Sequence, residues 1–290
     1  KYTPQDFPAP LLACNRFFQT SIKHKIWTGY NDTADNNPQA LKERPYSPFK
    51  INIPKDTLTC NLDSNLGNPI FSVMLKGASK TTIWPSLNMW KTILLSIKQQ
   101  YPEARFLITG LLSAHINSKA KETEQKNRIF SFISSIPDAV NCYDIGLDNQ
   151  LALIQNSDVF ISPHTGFAFL APCLGTPWLA LSGGKWAEPM PAHRPFYSVL
   201  PACENYPCNN GDMKLECKLR LKLKQPIKCM SHLHLKKEDL LQGIEKLLST
   251  SYSFQGAFVD YEDSAKKNKV NLKKLWRLNA YKNSITTITD

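Results

Sequence analysis

The chain has 290 residues, of which 42% are hydrophobic and 20% charged, with 35 Lys and Arg against 24 Asp and Glu. The apolar share can fill a hydrophobic core, which excludes an intrinsically disordered chain, and the absence of any apolar run of about 18 residues excludes a transmembrane helix. The net charge of +11 indicates an anionic partner, such as nucleic acid, an anionic lipid surface or a phosphorylated small molecule.

The N-terminal part, residues 1–65, is predicted to be irregular because prolines and a polar loop interrupt it. We expect either an irregular segment or the remnant of another domain there. The first residue is Lys1 rather than methionine, so we expect the chain to have been cut from a longer protein. No signal peptide precedes the apolar segments, so we expect a cytoplasmic protein that is soluble or peripheral at the membrane.

From residue 69 onward, short apolar runs alternate with stretches of helical periodicity. The predicted strands are 70–75, 105–109, 140–143, 158–162 and 178–181, and the predicted helices are 85–97, 119–134, 147–156, 166–174 and 238–248. Such alternation is typical of βαβ units with right-handed crossovers. We therefore predict one α/β domain over residues 66–250, built as a doubly wound parallel sheet.

The remainder, residues 251–290, is predicted to be a basic, helical extension. Seven basic residues and no acid lie between Lys266 and Lys282, and six basic residues lie between Lys214 and Lys228. A run of this kind is either a solvated basic face or a surface that binds an anionic membrane or nucleic acid.

Ligands of open α/β sheets bind at the carboxyl ends of the strands. The residues that follow the predicted strands are small, hydroxyl-bearing or cationic, a set that suits a diphosphate because glycine admits a ligand close to the backbone and lysine neutralises phosphate. The candidate binding residues are Ser79, Lys80, Thr81, Thr82, Gly110, His164, Thr165, Gly166, Gly183, Gly184 and Lys185. The segment Ser182-Gly-Gly-Lys185 is not a P-loop, since it lacks the upstream glycine at the required spacing.

His164 is the most prominent of these candidates, because it lies between a predicted strand end and a helix start. Two interpretations stay open for it. Its side chain either caps the helix or bonds the backbone, or it contacts a ligand phosphate or acts as an acid or base.

Four cysteines cluster as Cys203, Cys208, Cys217 and Cys229, with four, eight and eleven residues between successive members. Four thiolates can close a tetrahedral site for Zn²⁺ or Fe, and such a closed site is structural. We predict a structural metal that holds the insertion 203–229 together, with disulfides or reduced thiols as the alternatives.

The stretch Asn156-Ser-Asp-Val-Phe-Ile-Ser-Pro-His-Thr-Gly-Phe-Ala-Phe-Leu-Ala-Pro-Cys-Leu-Gly-Thr-Pro-Trp-Leu-Ala-Leu181 resembles the C-terminal half of glycosyltransferase family nine. These are heptosyltransferase-like enzymes of the GT-B fold, with a Rossmann-like donor-binding half. The Trp84-Pro85 and Cys229-Met230 pairs match as well, and the resemblance covers residues 68–250. It implies that Thr165 and Gly166 contact the diphosphate of a nucleotide-sugar donor and that the loop 79–82 holds the same group.

Two residues depart from the family pattern: His164 stands where the family has Asp, and Phe169 stands where it has His. The family places its catalytic base on a separate acceptor-binding domain, which residues 1–65 cannot supply. We therefore assign no catalytic base, and we expect a separate N-terminal domain or a homo-oligomer to complete the enzyme.

The resemblance implies a glycosyltransferase that moves a sugar from a nucleotide-diphosphate donor to a hydroxyl of a glycan, lipid or protein acceptor. We expect no catalytic metal, because a cationic site can stabilise the leaving diphosphate. A sugar-nucleotide epimerase of similar architecture is a rival enzyme. The alternative from another class is a non-catalytic nucleotide-sugar-binding or basic scaffold protein that binds nucleic acid or an anionic membrane.

Overall fold

The computed structural model describes residues 68–77, 84–112, 119–165, 167–183, 194–201, 206 and 228–270. The described strands are β1 (Ile70–Met74), β2 (Arg105–Gly110), β3 (Ala139–Tyr143), β4 (Val159–Pro163), β5 (Trp178–Leu181) and β6 (Phe196–Val199). They form one six-stranded sheet in the order β3-β2-β1-β4-β5-β6, and every pairing is parallel. The predicted doubly wound α/β fold is thus confirmed.

The described helices are α1 (Leu87–Gln100), α2 (Lys119–Ser134), α3 (Leu147–Gln155), α4 (Leu170–Cys173), α5 (Lys228–Ser231), α6 (Lys237–Leu248) and α7 (Phe254–Lys267). Two 3-10 turns, Phe167–Phe169 and Leu233–Lys236, precede α4 and α6. The single helix predicted over 166–174 is therefore divided into a 3-10 turn and one α-helical turn. The strand β6 was not predicted, because Ser198 interrupts its short apolar run.

Helices cover both faces of the sheet because strand residues alternate in direction. Phe71, Val73, Phe106 and Ile108 share one core cluster with apolar residues of α1, α2 and α6. Leu107 lies in a separate cluster with Leu153 of α3. The strands are therefore apolar on both faces, as buried parallel strands are.

The helix α1 is attached to the end of β1 by a buried tryptophan. Trp90 is fully buried, and its Nε1 donates a hydrogen bond of 2.9 Å to the carbonyl of Leu75. At the start of the helix, Ser86 Oγ accepts from the Met89 amide at 3.2 Å, as an N-cap residue does. These bonds fix where the chain leaves the sheet after β1.

The helix α7 packs on the outer strand β6 through aromatic rings. Phe196 of β6 makes edge-to-face contacts with Phe254, Phe258 and Tyr261 at centroid distances of 6.0–6.1 Å. The described helical part of the C-terminal extension therefore shares a hydrophobic cluster with the sheet. The predicted division into segments 1–65, 66–250 and 251–290 stays a prediction.

Candidate functional site

The strand order reverses between β1 and β4, and this is the point of an open α/β sheet at which ligands bind. Val73 is paired with Ile161, so continuing the register four residues places Gly77 level with Thr165. Their contact agrees with this placement, since a Cβ atom on Gly77 would lie 2.9 Å from Thr165 Cγ2. Glycine is required at position 77 for the chain to pass so close to Thr165.

The register itself is fixed at the opposite end of the same two strands. The Ile70 amide donates to Asp158 Oδ2 at 2.7 Å, and the Asp158 amide donates to the Ile70 carbonyl at 2.9 Å. A slip of one residue would break both bonds and exchange the side chains that face the two layers of helices. This contact between distant segments therefore determines which residues meet at the carboxyl end.

Thr165 is buried, with 6% of its surface exposed, and it precedes the 3-10 turn Phe167–Phe169. Its Oγ1 accepts a hydrogen bond of 3.0 Å from the Ala168 amide and lies 3.7 Å from Met74 Sδ. This is the arrangement of a threonine N-cap. The capping residue at this turn is thus Thr165, the residue that the resemblance places on the diphosphate.

His164 joins the ends of β4 and β5. Pro163 is paired with Leu181, and one residue further along His164 Nε2 lies 3.4 Å from Ser182 Oγ. The ring packs edge-on against Trp178 at a centroid distance of 5.6 Å, and only 2% of the residue is exposed. The side chain therefore lies below the rim of the sheet, and its contact with a ligand stays a prediction.

At Gly110, at the end of β2, an aromatic ring occupies the space that a side chain would need. A Cβ atom there would lie 2.6 Å from Cε1 of Tyr143. The Gly110 carbonyl accepts from Gln150 Nε2 at 2.8 Å and from the Asp144 amide at 3.1 Å. These contacts explain the glycine by packing of β2 against β3, and its role in binding stays a prediction.

The hydroxyl of Tyr143 is buried and has no hydrogen-bond partner among the described residues. Burial, together with the nearby charge of Asp144, raises the pKa of Tyr143 above its ordinary value. The phenol is therefore neutral at physiological pH, with a polar atom that the described part of the chain leaves unsatisfied.

Gly183, at the end of β5, lies against the start of α5. A Cβ atom there would lie 2.4 Å from Met230 Cε and 2.9 Å from Cys229 Sγ. Cys229 thus touches the backbone at the same sheet edge as Thr165. It is the member of the cysteine quartet within the described residues, and those residues contain no group of three or more His, Cys, Asp or Glu side chains that could hold a metal.

The other candidate residues lie outside the described part of the chain. They are Ser79, Lys80, Thr81, Thr82, Gly166, Gly184 and Lys185 for the diphosphate, and Cys203, Cys208 and Cys217 for the metal. Of the predicted binding residues, the structure brings His164, Thr165 and Gly183 together, with Gly110 at the same edge.

Lys76 is a cation at this edge that the sequence-based prediction did not select. It lies two residues beyond β1, is half-buried and precedes Gly77. Burial lowers its pKa, and the charge of Arg128 on α2 lowers it further. A lysine directly after an apolar strand was the available signal, but the hydroxyl-rich run 79–82 drew the assignment further along the chain.

No helix in the described ranges combines the length and apolar composition needed to cross a bilayer.

No family model matches the chain, and no curated protein sequence matches it significantly. Solved structures do match. One is the dodecameric, iron-containing heptosyltransferase TibC in complex with ADP-D-β-D-heptose, at 13% identity and a TM-score of 0.43, with 62% of this chain and 46% of that chain covered.

A second is a glycosyltransferase of family 9 from Veillonella parvula, at 11% identity and a TM-score of 0.39, with 62% and 46% covered. A third is the UDP-GlcNAc 2-epimerase of Neisseria meningitidis bound to UDP-GlcNAc, at 16% identity and a TM-score of 0.28, with 69% and 44% covered. This chain spans less than half the length of each of the three proteins. Glycosyltransferase family nine, which the sequence resembles, is thus represented among these structures.

Proposed function

We propose that this chain is the donor-binding half of a glycosyltransferase that moves a sugar from a nucleotide diphosphate to a hydroxyl acceptor. The observation that carries the proposal is the row Gly77, Thr165 and Gly183 at the carboxyl edge, next to the reversal of strand order. Ligands of open α/β sheets bind at such a reversal, and the two glycines bring the chain close to its neighbours there, Gly77 against Thr165 and Gly183 against Met230 and Cys229.

The chemistry proposed for this edge is stabilisation of the leaving diphosphate. As the glycosidic bond to the donor phosphate breaks, negative charge grows on the phosphate oxygens, and hydroxyl, amide and cationic groups held in place beforehand lower the barrier. Thr165, Gly166, Lys80 and Lys185 are the residues proposed to supply these groups. The base that activates the acceptor hydroxyl is expected on a separate domain or another copy of the chain.

The proposal is tested by thermal unfolding of the full chain with ADP, UDP, GDP and their sugars. A ligand present at a hundred times its Kd stabilises the folded chain by about 2.7 kcal/mol, which raises the Tm by several degrees. We expect one nucleotide diphosphate to do so, and its sugar to do the same. If every nucleotide leaves the Tm unchanged while DNA or anionic vesicles bind with a steep salt dependence, the scaffold alternative takes its place.

Thr165→Val is the site variant for this assay, and Thr92→Val is its matched control. Thr165→Val keeps the shape of the side chain but removes the hydroxyl, so we expect the ligand-induced shift to fall by half or more. Thr92 lies exposed on α1, where its Oγ1 donates to the Asn88 carbonyl at 3.1 Å. Its replacement is expected to leave the shift as it is in the wild type.

We also propose that Cys203, Cys208, Cys217 and Cys229 bind one structural Zn²⁺ or Fe ion. Four thiolates fit such a closed site, and the contact of Cys229 with Gly183 would connect the insertion to the diphosphate edge. Metal analysis of the purified chain is expected to give about one ion per chain, lost in Cys217→Ser and retained in Cys142→Ala. Absence of metal from the wild type, with Cys217→Ser unaffected in stability, contradicts this proposal.

A further inference from the structure

Lys76 lies at the point where the strand order reverses. Continuing the pairing of Val73 with Ile161 by three residues places Lys76 level with His164, one step before the contact between Gly77 and Thr165. The side chain therefore starts within one residue of the proposed diphosphate site. Its position follows from the backbone register.

The surroundings of Lys76 differ from those of Lys98 and Lys246, two other partly buried lysines. Lys98 pairs with Asp138 at 2.6 Å, and Lys246 pairs with Asp260 at 2.8 Å. Within the described ranges Lys76 has no such carboxylate, and the charged group that acts on it is the guanidinium of Arg128. Lys76 is thus a partly buried cation with no acid among the described residues to compensate it, and the exposed Arg128 adds a like charge.

Such an arrangement costs free energy in the ligand-free chain. A partly buried ammonium loses hydration, and a neighbouring like charge adds repulsion. A multiply charged anion bound at Lys76 offsets both costs, because lysine forms short, charge-assisted hydrogen bonds to phosphate oxygens and the anion's charge counters the repulsion from Arg128.

We infer that Lys76 binds the diphosphate of the donor beside Thr165, with Arg128 adding positive potential at the same place. This inference rests on the proposed function for the identity of the ligand as a nucleotide diphosphate. It assigns to the site a residue outside the loop 79–82 and a second cation from α2, on the other side of β1 from Thr165.

The test measures binding of inorganic pyrophosphate, ADP, UDP and GDP to the full chain by calorimetry, at low and at physiological salt. The variants are Lys76→Met and Lys76→Gln, with Lys267→Met as the matched control. Lys267 is exposed on α7, so its replacement removes the same unit charge away from the site. We expect both Lys76 variants to bind pyrophosphate at least tenfold more weakly, and Lys267→Met to bind within twofold of the wild type.

The Tm of the ligand-free variants separates a binding role from a structural one. If Lys76 is there for the anion, Lys76→Met melts at the same temperature as the wild type or higher, because an uncompensated charge is removed. Lys76→Arg is expected to keep most of the affinity. A Lys76→Met chain that melts several degrees lower, yet binds pyrophosphate as the wild type does, overturns the inference.

The two proposals fail in different ways. If the wild type binds neither pyrophosphate nor any nucleotide diphosphate, the assignment of Lys76 is overturned. If the wild type binds pyrophosphate through Lys76, but the nucleotides bind no more tightly than pyrophosphate, the anion site stands and the nucleotide-sugar function falls.

Discussion

The carboxyl edge of the sheet and the packing of β6 against α6 and α7 differ in how their tyrosine and lysine side chains are paired. At the β6 end, Tyr197 donates a 2.6 Å hydrogen bond to Asp239, and Asp260 accepts from both Tyr252 at 2.7 Å and Lys246 at 2.8 Å. At the carboxyl edge, within the described residues, the Tyr143 hydroxyl and the Lys76 ammonium have no such partner.

The difference separates groups that stabilise the fold through a bonded partner from groups that the described residues leave without one. A buried polar group satisfied inside the protein contributes to stability, whereas one left unsatisfied costs free energy until something binds it. Sites that bind ligands are commonly less stable than they could be, for this reason. The following variants test the contrast, from the largest expected effect to the smallest.

Gly243→Ala tests how tightly the β6 end is packed. A Cβ atom at Gly243 of α6 would lie 2.4 Å from Cδ1 of Tyr197, so the helix must move away from β6. We expect a loss of about 3 kcal/mol in the free energy of unfolding, measured by urea denaturation. Gly256→Ala is the control on α7, where the nearest atom would lie 3.5 Å away, and it is expected to be neutral or slightly stabilising.

Asp260→Ala removes the acid that Lys246 and Tyr252 share. Both partners are then left partly buried without an acceptor, and we expect a loss of about 2 kcal/mol. The control is Asp263→Ala, which breaks an exposed pair with Lys266 at 3.2 Å. A surface pair of this kind is worth at most about 0.5 kcal/mol, so equal losses in the two variants contradict the contrast.

Replacement of tyrosine by phenylalanine is expected to lower the free energy of unfolding at Tyr197 and to raise it at Tyr143. Tyr197→Phe loses a hydrogen bond to a carboxylate, which destabilises the chain by about 1.5 kcal/mol. Tyr143→Phe removes a buried hydroxyl without a described partner and is expected to stabilise the chain by up to about 1 kcal/mol. Thermal and urea unfolding of both variants side by side give the comparison, and destabilisation by Tyr143→Phe argues against it.

The smallest expected effect is the pH dependence of the stability difference between Lys76→Met and the wild type. The pKa of Lys76 is lowered below its ordinary value of 10.5 in the folded chain, so the unfolded chain binds more protons between the lowered pKa and 10.5. The cost of holding the ammonium is present in full below that window and is relieved as pH rises through it. The stability gap between Lys76→Met and the wild type is thus expected to narrow from pH 7 to pH 10, by at most about 0.5 kcal/mol because solvent screens a half-exposed group.

Most of the described fold was predictable because its strands and helices carry strong local patterns. The helix Lys119–Ser134 and the strand Trp178–Leu181 have the predicted bounds, and the other predicted strands shift by one residue at most. The strand β6 was missed because Ser198 interrupts the apolar run Phe196–Val199. Its pairing with β5 is a contact between segments that the local pattern does not show.

The candidate site was only partly predictable. The rule that ligands bind at carboxyl ends of parallel strands selected His164, Thr165 and Gly183, which the register brings side by side. The rule gave no information on whether these side chains are exposed to solvent. The structure buries the His164 ring below the rim of the sheet. Lys76 was missed because its significance depends on its burial and on Arg128, which is 52 residues away in the sequence.

The amino-acid sequence by itself determined the class of the fold, since periodicity of apolar residues is a local property that survives without any knowledge of neighbours. It also determined which residue types stand at the strand ends. Only the tertiary structure decided which of them meet, because strand order and register are set by contacts between distant segments. Whether a polar group is satisfied or left for a ligand depends on those contacts, as the difference between Lys246 and Lys76 illustrates.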